Sequence, residues 1–93
     1  MGPWKSATYT LSVGEDVAPV ASAPVVLYSV VAANASLTDP GVVTIYNGSG
    51  TVAVMNLAMP VGGTVVWSGC LAMPKGLQVY VETGSAYVTV MYV

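Results

Sequence analysis

The chain contains 93 residues and has a formal net charge of −2, with 55% hydrophobic and only 6% charged residues. An average soluble domain of this length carries roughly 23 charged residues, whereas this one has two lysines and four acidic residues. Without clustered cations it offers no surface for a nucleic acid, and without histidine it lacks the commonest general base and metal ligand. We therefore expect no nucleic-acid partner, no cofactor or metal, and no enzymatic activity.

The first 24 residues differ from the rest, because they hold three of the six charges and three of the six prolines. A short strand is expected over 8–13, but Pro19 and Pro24 interrupt strand pairing. Residues 1–24 are therefore predicted to form an extended arm that is mobile in the free protein and becomes ordered on a partner, by adding a strand to a neighbour or by docking in a pocket. The side chains expected to make these contacts are Trp4, Lys5, Tyr9 and Leu11.

Residues 25–93 are predicted to form one small domain. Turn signals recur along it, as in the segments 39–41 (DPG) and 47–50 (NGSG), where Pro fixes φ and Gly or Asn tolerates a positive φ. Between the turns lie apolar segments spaced about 10–12 residues apart, which favours short antiparallel strands. These segments are 25–33, 42–46, 51–57, 64–70, 77–82 and 86–92. Together with the strand of the arm, they predict an all-β, jelly-roll-like sandwich of six to seven strands.

Alternating polarity in the last two segments predicts a β-hairpin. Aliphatic residues occupy every second position along most of both 77–82 and 86–92, which gives each strand one apolar face. The turn at 83–85 contains glycine and links the two segments. We therefore expect the two strands to pair with each other directly.

Tyr80 and Tyr87 are expected to lie outside the core, since each opposes the apolar face of its strand. Exposed tyrosines act in three ways: they pack against a neighbouring strand at the rim, contact another subunit, or stack on a sugar. A sugar site also needs polar neighbours. The candidates for it on one face are Tyr80, Gln78 and Glu82.

The single cysteine and the longest apolar stretch exclude two further possibilities. Cys70 has no partner for an intrachain disulfide, and it is expected to be a small buried hydrophobic residue. The apolar stretch 23–35 is shorter than the about 20 residues that a membrane-spanning helix needs. No membrane partner is therefore expected.

So few charges leave the domain with a surface that is largely uncharged. A domain of this size buries only about 60–65% of the surface of its unfolded chain, and uncharged strand edges invite pairing with other chains. The segment 25–31 is also apolar on both faces, as in strands that are covered from both sides. We therefore expect the chain to form a homo-oligomer.

The order of turns and strands over residues 25–93 resembles that of the small all-β virion proteins of tailed bacteriophages. The resemblance lies in the stretches VVLYSVVAANAS, GVVTIYNGSG, MPVGGTVVWSG and LAMPKGLQVYVETGSAYVTVMYV. It implies a structural protein without catalytic residues, namely a capsid decoration (cement) protein that oligomerises on a phage head and stabilises it. The implied partners are copies of itself, with a trimer favoured, and the major capsid protein or another virion protein. The implied location is the virion, with the head surface favoured, after synthesis in the cytoplasm of the bacterial host.

Two alternatives remain open beside the decoration protein. One is another structural component of a phage, in the neck, tail or fibre. The other is a β-module that binds a glycan or a receptor, for which the outward tyrosines are the relevant side chains.

Overall fold

The computed structural model describes residues 5–12, 23–48 and 53–93, and these ranges contain seven strands and no helix. The strands are β1 (Lys5–Ser12), β2 (Val25–Asn34), β3 (Gly41–Asn47), β4 (Ala53–Met59), β5 (Thr64–Met73), β6 (Leu77–Thr83) and β7 (Ser85–Tyr92). Each of the six apolar segments predicted after residue 24 contains most of one strand. The seventh strand, β1, lies within the predicted arm.

The strands form two antiparallel sheets. Sheet A has the strand order β1-β7-β2-β5, and sheet B has the order β4-β3-β6. The chain passes from one sheet to the other after β2, β4, β5 and β6, so most neighbours within a sheet are distant in sequence. This arrangement confirms the predicted all-β sandwich.

The core lies between the two sheets and is built from aliphatic side chains at alternating strand positions. Because successive side chains of a strand point to opposite faces, each strand that contributes to the core also presents side chains on the outside. Burying one such aliphatic side chain contributes about 1.5–3 kcal/mol. The buried core residues are Leu27, Val30, Ala32, Val43, Ile45, Leu57, Met59, Met73, Leu77, Val79, Val81, Ala86, Val88 and Val90.

The predicted hairpin between the last two strands is wrong. β6 pairs with β3 in sheet B, whereas β7 pairs with β1 and β2 in sheet A. Gly84, whose φ is 82°, lets the chain turn between the sheets so closely to Gly41 that a Cβ on Gly84 would lie 3.2 Å from the Cα of Gly41. Alternation is satisfied equally well by two strands that pair in one sheet and by two strands that face each other across the core.

The position of residues 5–12 corrects the predicted boundary between arm and domain after residue 24. β1 is an edge strand of sheet A and pairs with β7 over eight residue pairs. The prolines that argue against pairing follow this strand in the sequence and so do not interrupt it. Residues 1–4 and 13–22 lie outside the described residues, and the mobility expected for them stays a prediction.

A β-bulge in β2 interrupts the simple alternation of its side chains between the two faces of sheet A. The register with both neighbouring strands shifts between Leu27 and Ser29, and an extra residue at a bulge reverses the alternation beyond it. Leu27 and Val30 are both buried in the core as a result, while Val31 lies half-buried on the outer side. The outer side of this apolar strand is therefore only partly covered within the chain.

Cys70 is exposed, which corrects the expectation of a buried cysteine. It lies in β5, which pairs with β2 and is the last strand of sheet A in the described part of the chain. Among the described residues no further strand pairs with this edge, and all residues from 64 to 70 are exposed or half-buried.

Candidate functional site: the two outer faces of the sandwich

The outward side chains of sheet A form a surface that we call face A. Residues directly opposite each other on neighbouring strands share one side of a sheet, so the register arranges these side chains in three rows that cross β1, β7, β2 and β5. The first row is Ser6, Met91, Ser29 and Ser68, the second is Thr8, Thr89, Val31 and Val66, and the third is Thr10, Tyr87, Ala33 and Thr64. No residue in these three rows carries a charge.

Face A exposes large apolar side chains among its hydroxyl groups. Val66 is 62% exposed, Tyr87 is 51% exposed and Met91 is 40% exposed. The hydroxyl oxygens of Thr8 and Thr89 lie 2.9 Å apart and form a hydrogen bond with each other. Removing a charged group from water is the most unfavourable step in burying a protein surface. Covering face A does not require this step.

Face A continues into an apolar depression at the end of the sandwich where β2 begins. Val26 and Val93 exchange two backbone hydrogen bonds of 2.9 and 3.0 Å, which extends the pairing of β2 with β7 by one residue. The depression has a volume of about 300 Å³. It is lined by Pro24, Val25, Val26, Ala72, Met73, Pro74 and Val93.

Sheet B has a different outer surface, which we call face B and which is built around Thr44 on the middle strand. Thr44 is only 1% exposed, although its neighbours Val43 and Ile45 are the residues of β3 that point into the core. The Oγ1 of Thr44 lies 2.7 Å from Oδ1 of Asn56 on β4 and 3.2 Å from Oε1 of Glu82 on β6. Its one proton bonds to one of these oxygens at a time, so this hydroxyl connects the polar side chains of the two flanking strands.

Glu82 owes its position to a β-bulge. The register between β3 and β6 shifts between Val42 and Val43, which leaves Glu82 as the extra residue of β6. A bulge redirects the side chain of the extra residue. Here the carboxylate is placed against the threonine at the centre of face B instead of pointing straight out from the strand.

Two tyrosine rings lie beside this carboxylate. The centroids of Tyr46 and Tyr80 are 6.3 Å apart and their planes meet at 66°, the edge-to-face arrangement that aromatic pairs favour. The hydroxyl of Tyr46 donates a hydrogen bond of 3.1 Å to Oε1 of Glu82. Both rings are half-buried, so their orientations are fixed by contacts while part of each ring stays exposed.

Asn34, the last residue of β2, connects the loops at one end of the sandwich. Its side chain is 8% exposed, and its Nδ2 donates to the carbonyl oxygens of Asp39 at 2.8 Å and Pro60 at 3.1 Å. Its Oδ1 accepts a hydrogen bond of 2.9 Å from the backbone N–H of Ser36. One side chain therefore ties the loop after β2 to the turn after β4.

Of the arm residues predicted to contact a partner, those on β1 lie in the strand next to Tyr87, since Thr10 pairs with Tyr87. Trp4 lies outside the described residues. Lys5 begins β1 and is exposed, and the backbones of Tyr9 and Leu11 pair with β7 of the same chain. The strand that carries these residues is thus part of the sandwich.

Tyr80 and Tyr87 both lie outside the core, as alternation predicts, but on opposite sides of the sandwich. Tyr87 belongs to face A, whereas Tyr80 belongs to face B with Glu82. The third residue predicted for a sugar platform, Gln78, is only 8% exposed. It is therefore less accessible than the other two.

Three residues of face B that the sequence does not single out are Thr44, Tyr46 and Asn56. A signal for the first two exists, since they alternate with Val43 and Ile45 in the segment 42–46. No such pattern reveals that Asn56 and Glu82 flank Thr44, because that depends on which strands are neighbours.

Among the described residues, no group of three or more His, Cys, Asp or Glu side chains is arranged to hold a metal ion. The same part of the chain has no helix that is long and apolar enough to cross a membrane. No family model, curated protein or solved structure matches the chain.

Proposed function

We propose that this chain is a structural protein of a tailed-bacteriophage particle. In this proposal it is a capsid decoration protein that self-associates, with a trimer favoured, and attaches to the major capsid protein through face A. The observation that carries the proposal is the absence of charge from all three rows of face A. A surface of this composition is suited to burial against another uncharged protein surface.

The dimensions of face A argue that attachment is multivalent. Four strands spaced about 4.8 Å apart and three rows about 6.8 Å apart give a projected area of about 400 Å². A stable protein interface buries about 800 Å² on each partner, so one copy of face A makes a weak contact. Linking several copies in an oligomer raises the overall affinity without any new kind of contact, which is why we include self-association in the proposal.

The apolar side chains of face A supply the favourable free energy. Their burial contributes about 25 cal/mol for each Å² removed from water, before the loss of translational and side-chain freedom is subtracted. The hydroxyl groups between them form hydrogen bonds within the face or across it, as the bond between Thr8 and Thr89 illustrates. Stabilisation of a particle by such a protein is mechanical and needs no chemical step.

The jelly-roll form of the sandwich belongs to the same proposal, because viral capsid domains commonly use that form. Two observations support the jelly-roll form. The chain passes to the other sheet after β2, β4, β5 and β6, and β1 and β2 lie in the same sheet with β7 between them. Such connections between distant neighbours are typical of Greek-key sandwiches.

The proposal is tested by placing a carboxylate on face A. Val66→Glu inserts a charge near the middle of the β5 edge of this face, and Val61→Glu is the matched control, because Val61 is 47% exposed and lies in the turn after β4. Substitutions at exposed positions change the free energy of unfolding by about 0.5 kcal/mol or less. Both variants should therefore fold, which circular dichroism melting checks.

Sedimentation equilibrium and co-sedimentation with virions then report association and attachment. We expect V66E to weaken attachment by about tenfold or more, since an unpaired charge has to be buried against the capsid, to leave self-association unchanged, and V61E to behave like the unsubstituted protein in both assays. A 9.5 kDa species at all micromolar concentrations of the unsubstituted protein would refute self-association. Full attachment of V66E would show that face A is not the contact.

A further inference from the structure

We propose that face B is a binding site for a neutral oligosaccharide, which lies against the ring of Tyr80 and donates hydroxyl hydrogen bonds to Glu82 and Asn56. This inference does not rest on the assignment to a phage particle. It rests on the bulge, the ring pair and the charges of sheet B. The two outer faces lie on opposite sides of the sandwich, so a glycan on face B leaves face A free.

The acceptor at the centre of the site is the carboxylate of Glu82. It is the one charged residue of β3, β4 and β6, and the bulge aims it onto the middle of the face. The hydroxyl groups of Thr44 and Tyr46 both lie within hydrogen-bond distance of its Oε1. The Oε2 atom of this exposed side chain is left to accept from a ligand, and hydrogen bonds from hydroxyl groups to a carboxylate are short and strong.

Asn56 provides a second polar position on the far side of Thr44. Its side chain is exposed, and its Oδ1 is held at 2.7 Å from the threonine hydroxyl. Its Nδ2 is left to donate to a sugar oxygen, and Oδ1 keeps a second lone pair that accepts from a sugar hydroxyl. Asn56, Thr44 and Glu82 thus form a row of hydrogen-bonding groups across the three strands of sheet B.

The ring of Tyr80 provides the apolar part of the site. Its edge-to-face contact with Tyr46 fixes its orientation, so little conformational freedom is lost when a ligand stacks on it. A tyrosine presents an apolar ring with a polar tip, which matches a pyranose with its C–H face and its hydroxyl rim.

The single negative charge on the strands of sheet B argues against anionic ligands and metal ions. The strands of sheet B contain no Lys or Arg, so a phosphate, a nucleic acid or an acidic sugar would meet a carboxylate and no counter-charge. A metal ion would find one carboxylate where several oxygen ligands are needed. A neutral, hydroxyl-rich ligand needs only the acceptor, the amide and the ring that face B provides.

The test is a titration of the isolated, ¹⁵N-labelled protein with cellotetraose, maltotetraose and chitotetraose, followed by two-dimensional NMR. An open site of this kind is expected to bind with a Kd of about 1 mM. We expect at least one of the three oligosaccharides to shift the signals of Thr44, Asn56 and Tyr80 in a saturable way. The signals of face A should stay unchanged.

Three variants assign the binding to the proposed side chains. Tyr80→Ala should weaken it about fivefold or more, and Glu82→Gln, which keeps the shape of the side chain, should weaken it about tenfold. Tyr87→Ala is the matched control, since it removes an exposed tyrosine from face A and should leave the affinity unchanged. Glu82→Gln decides the question if Tyr80→Ala does not fold.

Two results would overturn the proposal. One is the lack of any saturable shift at face B with all three oligosaccharides at about 10 mM. The other is binding that Glu82→Gln does not weaken. Because these experiments use the free protein, neither result depends on whether face A attaches the protein to a virion.

Discussion

Asn34→Ala should destabilise the sandwich strongly, because one buried side chain holds two loops together. The substitution removes two hydrogen bonds donated by Nδ2, of 2.8 and 3.1 Å, and one of 2.9 Å accepted by Oδ1. Each such bond contributes about 0.5–1.5 kcal/mol net. We therefore expect the free energy of unfolding to fall by about 2–4 kcal/mol, a large share of the about 5–14 kcal/mol expected for a domain of this size.

Urea unfolding followed by circular dichroism measures this loss. The midpoint should fall while the m-value stays constant, and the melting temperature should drop by about 10–25 °C. Asn56→Ala is the control, since this exposed asparagine makes one hydrogen bond and its removal should have an effect of about 1 kcal/mol or less. If the free energy of unfolding of Asn34→Ala lies within about 0.5 kcal/mol of that of the unsubstituted protein, the reasoning is refuted, and backbone hydrogen bonds alone hold this end of the sandwich.

Three further outcomes follow from the packing, the sheet edge and the charge. Gly41→Ala should lower the free energy of unfolding by about 1–3 kcal/mol, because its Cβ would lie 2.7 Å from Cε of Met59 and 2.9 Å from the carbonyl oxygen of Thr83; an unchanged melting temperature would contradict so close an approach. Deleting residues 2–12 should cause aggregation in light scattering, because it uncovers the edge of β7, and a truncated chain that stays dispersed would mean that β1 is not needed to protect that edge. Attachment to virions should change less than about twofold between low salt and about 0.5 M salt in co-sedimentation, since face A is uncharged; a steep loss would place charges at the contact.

The strands of the domain are predictable from sequence because apolar segments and turns mark them locally. The segment 77–82 matches β6 closely, and its aliphatic residues are fully buried. The segment 51–57 ends two residues before β4 (Ala53–Met59) does. At the end of a strand, hydrophobicity changes less sharply than the backbone does.

The pairing of strands is not predictable in the same way. The alternation in β6 and β7 predicts which side chains face the core. It is the same whether the two strands pair in one sheet or face each other from different sheets. The sequence also gives no signal for the bulge in β2, because Leu27, Val30 and Val31 are all aliphatic. Which of them points outward is decided by the partner strands.

Face B shows the same limit for a candidate site. Tyr80 and Glu82 lie two residues apart in one segment, so alternation places them together. Thr44 and Asn56 come from two other strands and join them only through the order of sheet B. The bulge that aims the carboxylate is likewise a property of two paired strands and not of one segment.

The pairing of β1 with β7 sets a lower limit on the time that the protein needs to acquire its final structure during synthesis. Ser12 is paired with Ser85, so β1 is made long before β7, the strand with which it pairs, exists. At about 5–20 residues per second, a ribosome needs several seconds to reach β7. Throughout that interval β1, whose single charge is that of Lys5, is present without the strand it pairs with, and the rate of translation therefore competes directly with the rate at which nascent chains find each other.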